Sequence, residues 1–288
     1  MKYYKFLIFT LIVITLTNCT KELEAERVSY VTIESFKFNS NNINETIPFS
    51  NEYQSTNISD CWVTFNGLFL GAYEMPSNIP VQMSGDINAR ISPGIKVNGV
   101  SSNRIIYPFY KEFEISTEIN LDENIEIQPV TEYKDNVDLD DLAGGNFEIG
   151  NILVATELSD TLPITQSEDV FQGNKSSAIH LDVENQYFLI KTIEHLTYQN
   201  YINDIFLELN FKSTIPFRVG LIINNDISTR QEHMIIFESS DWKKLYLDIS
   251  PIIGLGGNLN TYNIYFEASL PEALDSGFVY LDNLKIVH

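Results

Sequence analysis

Short apolar runs that alternate with polar residues and stop at Gly, Asn, Asp or Pro recur along this chain, and they constrain its fold more than any other feature. A period of two puts one set of side chains on one face of an extended strand. Ile87, Ala89 and Ile91 alternate with Asp86, Asn88 and Arg90, and Phe113, Ile115 and Thr117 alternate with Glu112, Glu114 and Ser116. Val63 and Phe65 precede Asn66-Gly67, and Leu68 and Leu70 follow it. That is a two-residue hairpin signal, because Asn and Gly both tolerate positive φ. Further strands are expected over Phe206, Leu207, Leu209 and Phe211, over Tyr262, Ile264 and Phe266, and over Val279, Leu281, Leu284 and Ile286. Beyond the first eighteen residues no long stretch carries apolar residues at helical spacing, so the pattern predicts an all-β fold. Gly254-Leu255-Gly256-Gly257 reads as a turn, without the helix and lysine of a phosphate-binding loop.

Charge narrows the partners. The 288 residues carry a formal net charge of −21. A surface this acidic repels phosphate backbones, so no nucleic acid is expected as a partner. Acidic polysaccharides are disfavoured for the same reason, unless a cation bridges.

The N-terminal segment has its own character. Lys2 and Lys5 precede an apolar run from Phe6 to Leu16, which is too short to span a bilayer. Leu16-Thr17-Asn18-Cys19 then resembles a bacterial lipobox. The resemblance implies that residues 1–18 are a signal peptide, that Cys19 is lipidated, and that residues 19–27 tether the chain to a lipid bilayer. Asn18, the Asn-, Ile- and Tyr-rich composition and the Thr20-Lys21-Glu22-Leu23-Glu24 stretch resemble surface lipoproteins of the Bacteroidetes. This implies an outer-membrane location, at the cell surface or on the periplasmic face. Removing residues 1–18 deletes two lysines and no acids, leaving a charge near −23. Cys61 would then have no intrachain partner and is expected as a buried thiol.

An acidic, apolar-poor run from Tyr133 to Asp141 ends in Gly144-Gly145 and suggests a linker over 133–143. It separates a β-sandwich over 28–132 from a second unit over 144–288. In the first unit, Trp62-Val63-Thr64-Phe65-Asn66-Gly67, Gly85-Asp86-Ile87-Asn88-Ala89-Arg90-Ile91 and Pro93-Gly94 are similar to the small β-sandwich repeats of the PEGA type. Such domains are spacers or interaction modules. In the second, Asn146-Phe147-Glu148, Gly173-Asn174-Lys175, Asp241-Trp242-Lys243 and Leu281-Asp282-Asn283-Leu284 occur in that order. The series resembles the galactose-binding-like jelly roll of carbohydrate-binding modules. The resemblance implies an Asn-Phe-Glu strand near a Leu-Asp-Asn strand, and a structural Ca²⁺ held by Glu148, Asp282 and backbone carbonyls around Gly173 to Lys175. It also implies that Trp242 packs the sandwich.

No catalytic constellation is visible. His180, His195, His233 and His288 lack zinc spacing, and there is no nucleophile elbow. Paired carboxylates can be nominated anywhere among 39 acids, so they identify nothing. A binding role needs exposed aromatic faces beside polar groups. Tyr198, Gln199, Asn200 and Tyr201 cluster such groups, with Tyr187 and Tyr262 as further candidates. The expectation is a non-catalytic, membrane-anchored protein that binds glycan or acts in adhesion. The alternative is an accessory lipoprotein that binds another envelope protein.

Overall fold

The computed structural model describes residues 27–39, 55–140, 142, 144–197, 204–256 and 260–288. Cys19, the signal and most of the tether, and Tyr198, Gln199, Asn200 and Tyr201 lie outside the described residues.

The chain is all-β, as the alternation predicts. Its first unit contains β1 (Ser29–Ile33), β2 (Lys37–Phe38), β3 (Asp60–Phe65), β4 (Leu68–Glu74), β5 (Ser77–Val81), β6 (Gly85–Lys96), β7 (Arg104–Ile106), β8 (Phe113–Ile119), β9 (Asn124–Ile127) and β10 (Val130–Thr131). One sheet runs β5-β1-β9 and another β4-β3-β6-β7, with β8 also on β6, while β2 and β10 pair separately. The β1–β9 and β2–β10 pairs are parallel. Val31, Ile33 and Ile79 from the first sheet pack against Val63, Phe65, Ile87 and Ile91 from the second. These are the inward positions of the alternating runs. Asn66 and Gly67 both have positive φ, 48° and 81°, and join β3 to β4 in the expected hairpin. Cys61 is free and buried, and burial pushes its thiol up.

The second unit contains β11 (Leu139–Asp140), β12 (Leu153–Ala155), β13 (Ile164–Gln166), β14 (Ser176–Asp182), β15 (Tyr187–Thr192), β16 (Leu196–Thr197), β17 (Phe206–Ser213), β18 (Phe217–Ile223), β19 (Gln231–Ile236), β20 (Ser239–Asp248), β21 (Thr261–Ser269) and β22 (Ser276–Val287). Two sheets, β13-β14-β22-β17-β20 and β12-β15-β21-β18-β19, face each other in a jelly roll. Alternate residues of both meet in one core, including Leu207, Leu209, Phe217, Phe266, Leu281 and Ile286.

Several expectations change. Tyr133 is buried, and Leu139 and Asp140 extend the second unit by pairing with Val287 and Ile286, so this acidic stretch packs rather than hanging free. Backbone pairing to β22 supplies order that composition alone does not. Asn146-Phe147-Glu148 is a turn, not a strand: Phe147 has φ 61° and its ring is buried in the core. The Gly254 stretch belongs to a short helix, α1 (Ser250–Gly256). Asp248 Oδ1 accepts the Ser250 N–H at 3.0 Å, and Pro251 suits a first helical turn.

The two units share a third core. Tyr107, Phe109 and Tyr110 of the first pack on Phe206, Tyr246 and Val287 of the second, on the outer face of the β13-β14-β22-β17-β20 sheet. Beneath them lies fully buried Glu208. It accepts hydrogen bonds from the phenols of Tyr107 at 2.6 Å and Tyr133 at 3.0 Å. Buried Lys244 and Lys285 sit 2.6 and 3.4 Å from its Oε2. Burial pushes the Glu208 carboxyl up, but the charges of Lys244 and Lys285 outweigh it and bring it down to about 2. Burial lowers Lys285 to about 7, and Lys244 adds to that lowering.

Candidate functional site

The first unit covers only one end of that sheet face. Along β22, Lys285 and Val287 lie beneath it, whereas Phe278 and Tyr280 project from the same face further along. Register carries the exposed part across the sheet. His180 on β14 pairs with Phe278, Ala178 with Tyr280, and Tyr280 with Lys212 on β17.

The result is a continuous row of rings. Phe278 and Tyr280 stack at 4.1 Å between centroids, and His180 lies 5.7 Å from Tyr280. Tyr280 neighbours Trp242 at 6.5 Å, and Trp242 meets Phe171 at 5.9 Å. His180 and Phe171 are exposed, and the other three rings are half-buried. Trp242 thus lies outside the sandwich core, contrary to the expectation of a packing role. Its indole N–H donates to Asp169 Oδ1 at 2.8 Å, and Lys212 Nζ lies 2.6 Å from Oδ2 of the same carboxylate. Burial raises the Asp169 carboxyl, but the bonds from Lys212 and Trp242 outweigh it and hold it below the usual range. Burial, with the Asp169 charge, pushes the Tyr280 phenol up, so it stays a neutral donor and acceptor.

Glu148 and Asp282 come together on the loop that carries Asp169 and Phe171. Asp282 Oδ2 accepts the N–H groups of Phe171 at 3.1 Å and Gln172 at 3.2 Å. Its Oδ1 accepts the Asn283 N–H at 2.8 Å. Glu148 Oε1 accepts those of Asn174 at 2.6 Å and Lys175 at 2.8 Å. The loop therefore turns hydrogen-bond donors toward both carboxylates, where the resemblance calls for backbone carbonyls. Among the described residues no group of three His, Cys, Asp or Glu could hold a metal ion. In this arrangement the two carboxylates pin the loop. Burial pushes the Asp282 carboxyl up to about 7 despite its three N–H donors, with the Glu148 charge adding.

The remaining tyrosine candidates separate from this surface. Tyr262 is buried in the core and donates to the Ile253 carbonyl at 3.0 Å. Tyr187 sits on the opposite sheet and donates to Glu267 at 2.8 Å, with its phenol pushed up to about 12 by burial and that carboxylate. A separate apolar cleft of about 240 Å³ lies beside β12, with Ile149 and Ile193 at its mouth, 76% and 59% exposed.

Compared with known proteins, the chain matches no family model and no curated protein. Among solved structures it is similar to TmCBM61 in complex with β-1,4-galactotriose, at 10% identity and a TM-score of 0.34, covering 51% of this chain and 97% of that one. It is also similar to the family 11 carbohydrate-binding module of the cellulase Lic26A-Cel5E of Clostridium thermocellum, at 15% identity and a TM-score of 0.34, covering 49% and 90%. A family 30 carbohydrate-binding module of the same organism matches at 11% identity and a TM-score of 0.35, covering 47% and 90%.

Proposed function

We propose that this chain is a non-catalytic glycan-binding protein held at an outer membrane through lipidated Cys19. The observation that carries the reading is the open row His180–Phe278–Tyr280–Trp242–Phe171. The C–H faces of sugar rings stack on aromatic side chains, and adjacent polar groups fix their orientation. Asp169, Lys212 and the Tyr280 hydroxyl supply those groups beside the rings. The rings are spread across β14, β22 and β20, which suits an extended chain more than a small enclosed substrate.

The test is a glycan array probed with the full chain, followed by calorimetry on each hit. Trp242→Ala and Tyr280→Ala are each expected to weaken binding by about tenfold or more, as for central aromatic contacts. No hit on any array, or hits that both variants retain at full affinity, would sink the reading. The alternative, docking of another envelope protein, is favoured by the apolar cleft at Ile149 and Ile193, where exposed aliphatic groups offer nothing to a sugar hydroxyl.

A further inference from the structure

The first unit carries an outward surface of its own that no role so far described uses. Phe69 pairs with Thr64, Thr64 with Arg90, and Arg90 with Glu114, forming one row across β4, β3, β6 and β8. Paired residues share a face, so this row stands on the side away from the Val63–Ile91 core. Trp62, two residues before Thr64 on the same strand face, stacks on Phe69 with centroids 5.8 Å apart and planes 28° apart. Its indole Nε1 is buried without a hydrogen-bond partner and lies against Gly94, where any Cβ would come within 2.9 Å of it. Phe69 is 53% exposed.

Beside this aromatic pair is a depression of about 370 Å³, within the range of about 300–1,000 Å³ of small-molecule sites. Thr64, Asn88, Arg90, Glu114 and Ser116 line it. The Asn88 side chain is oriented by the Ser116 hydroxyl, which donates to its Oδ1 at 2.7 Å. Glu112 lies 3.5 Å from Arg90 Nε and balances its charge. With Glu114 alongside and an acidic chain overall, the depression disfavours an anion. Hydroxyl, amide, guanidinium and carboxylate groups next to stacked rings match an uncharged polyhydroxylated ligand.

We infer that this face is a second glycan site, taking a neutral sugar chain with one ring against Trp62–Phe69 and its hydroxyls toward Asn88, Arg90 and Glu114. It uses first-unit residues only, so it stands or falls independently of the jelly-roll row. Two such sites on one chain would raise avidity for a long polymer over either site alone.

The chain has two tryptophans, Trp62 and Trp242, one at each surface. The full chain labelled with 5-fluorotryptophan therefore gives one ¹⁹F signal per site, assigned with Trp62→Phe and Trp242→Phe. It is titrated with cellohexaose, xylohexaose, mannohexaose and laminarihexaose. The expected result is a saturable shift of the Trp62 signal with at least one hexaose. Phe69→Ala and Asn88→Ala should weaken that response about tenfold without changing the Trp242 response. A Trp62 signal unmoved by every hexaose overturns the inference, whatever Trp242 does. So does a shift that both variants retain, which would be relayed from the other unit. A signal that moves only with protein concentration assigns the face to a second copy of the chain and also overturns it. Movement of Trp62 with a silent Trp242 supports this site and shows that it acts without the jelly-roll row.

Discussion

Glu208 is the residue on which the contact between the units turns. It is fully buried, yet it stays ionised because two lysines and two phenols surround it. Breaking such a buried cluster costs more than forming it yields, because the remaining charges lose their partner without regaining water. Glu208→Gln is expected to destabilise the protein by about 3–5 kcal/mol in urea unfolding at neutral pH. The pH dependence has a definite sign. The carboxyl is held at about 2 in the fold against an ordinary 4.5, so its contribution is complete above pH 4.5 and is lost as pH falls through 2. Wild-type stability should fall along that acid limb more steeply than that of Glu208→Gln. Parallel limbs would show that Glu208 is not held ionised by its neighbours.

At the scale of elements, the loop between β13 and β14 decides the shape of the candidate site. It carries Asp169 and Phe171, and it is tied down by Glu148 and Asp282 through backbone N–H groups rather than by strand pairing. Glu148→Gln removes the charge that strengthens the Asn174 and Lys175 bonds and should cost about 1–3 kcal/mol. Because the loop offers donors to both carboxylates, adding calcium or EDTA is expected to leave the thermal midpoint of the wild type unchanged. A midpoint that rises with calcium and falls with EDTA would place a cation between the two carboxylates. That Glu148 and Asp282 approach one loop was legible only through the resemblance to a jelly roll, whose ordered motifs imply which segments meet. Their hydrogen-bonding role was not, because it depends on which way the backbone of residues 171–175 turns.

At the scale of the molecule, the two units are joined by a shared core. The covered end of the jelly-roll sheet presents Phe206, Tyr246 and Val287 together with the charged cluster, and the first unit supplies their partners. Asn57 adds its backbone N–H to the Tyr246 hydroxyl at 2.9 Å, and Asn98 its own to the Tyr246 carbonyl at 2.8 Å. Calorimetry of the full chain should therefore show a single cooperative transition. Two well-separated transitions would mean that the shared core contributes little to stability. Residues 144–288 alone would expose this apolar surface to water.

The sequence by itself determined the strand content, the Asn66-Gly67 hairpin and the inward set Ile87, Ala89 and Ile91. Those depend on side-chain period and on the φ that one or two residues tolerate, both of which are local. It also showed that Trp242 is present but not where it faces: core and surface aromatics look alike along a strand. Only the tertiary structure decided that His180 on β14, Tyr280 on β22, Trp242 on β20 and Phe171 on a loop form one row, and that Tyr262 does not join it. Neighbouring strands in a jelly roll are far apart in the chain, so the pairing that brings these rings together is set by burial of two whole sheet faces, and no short stretch of residues encodes it.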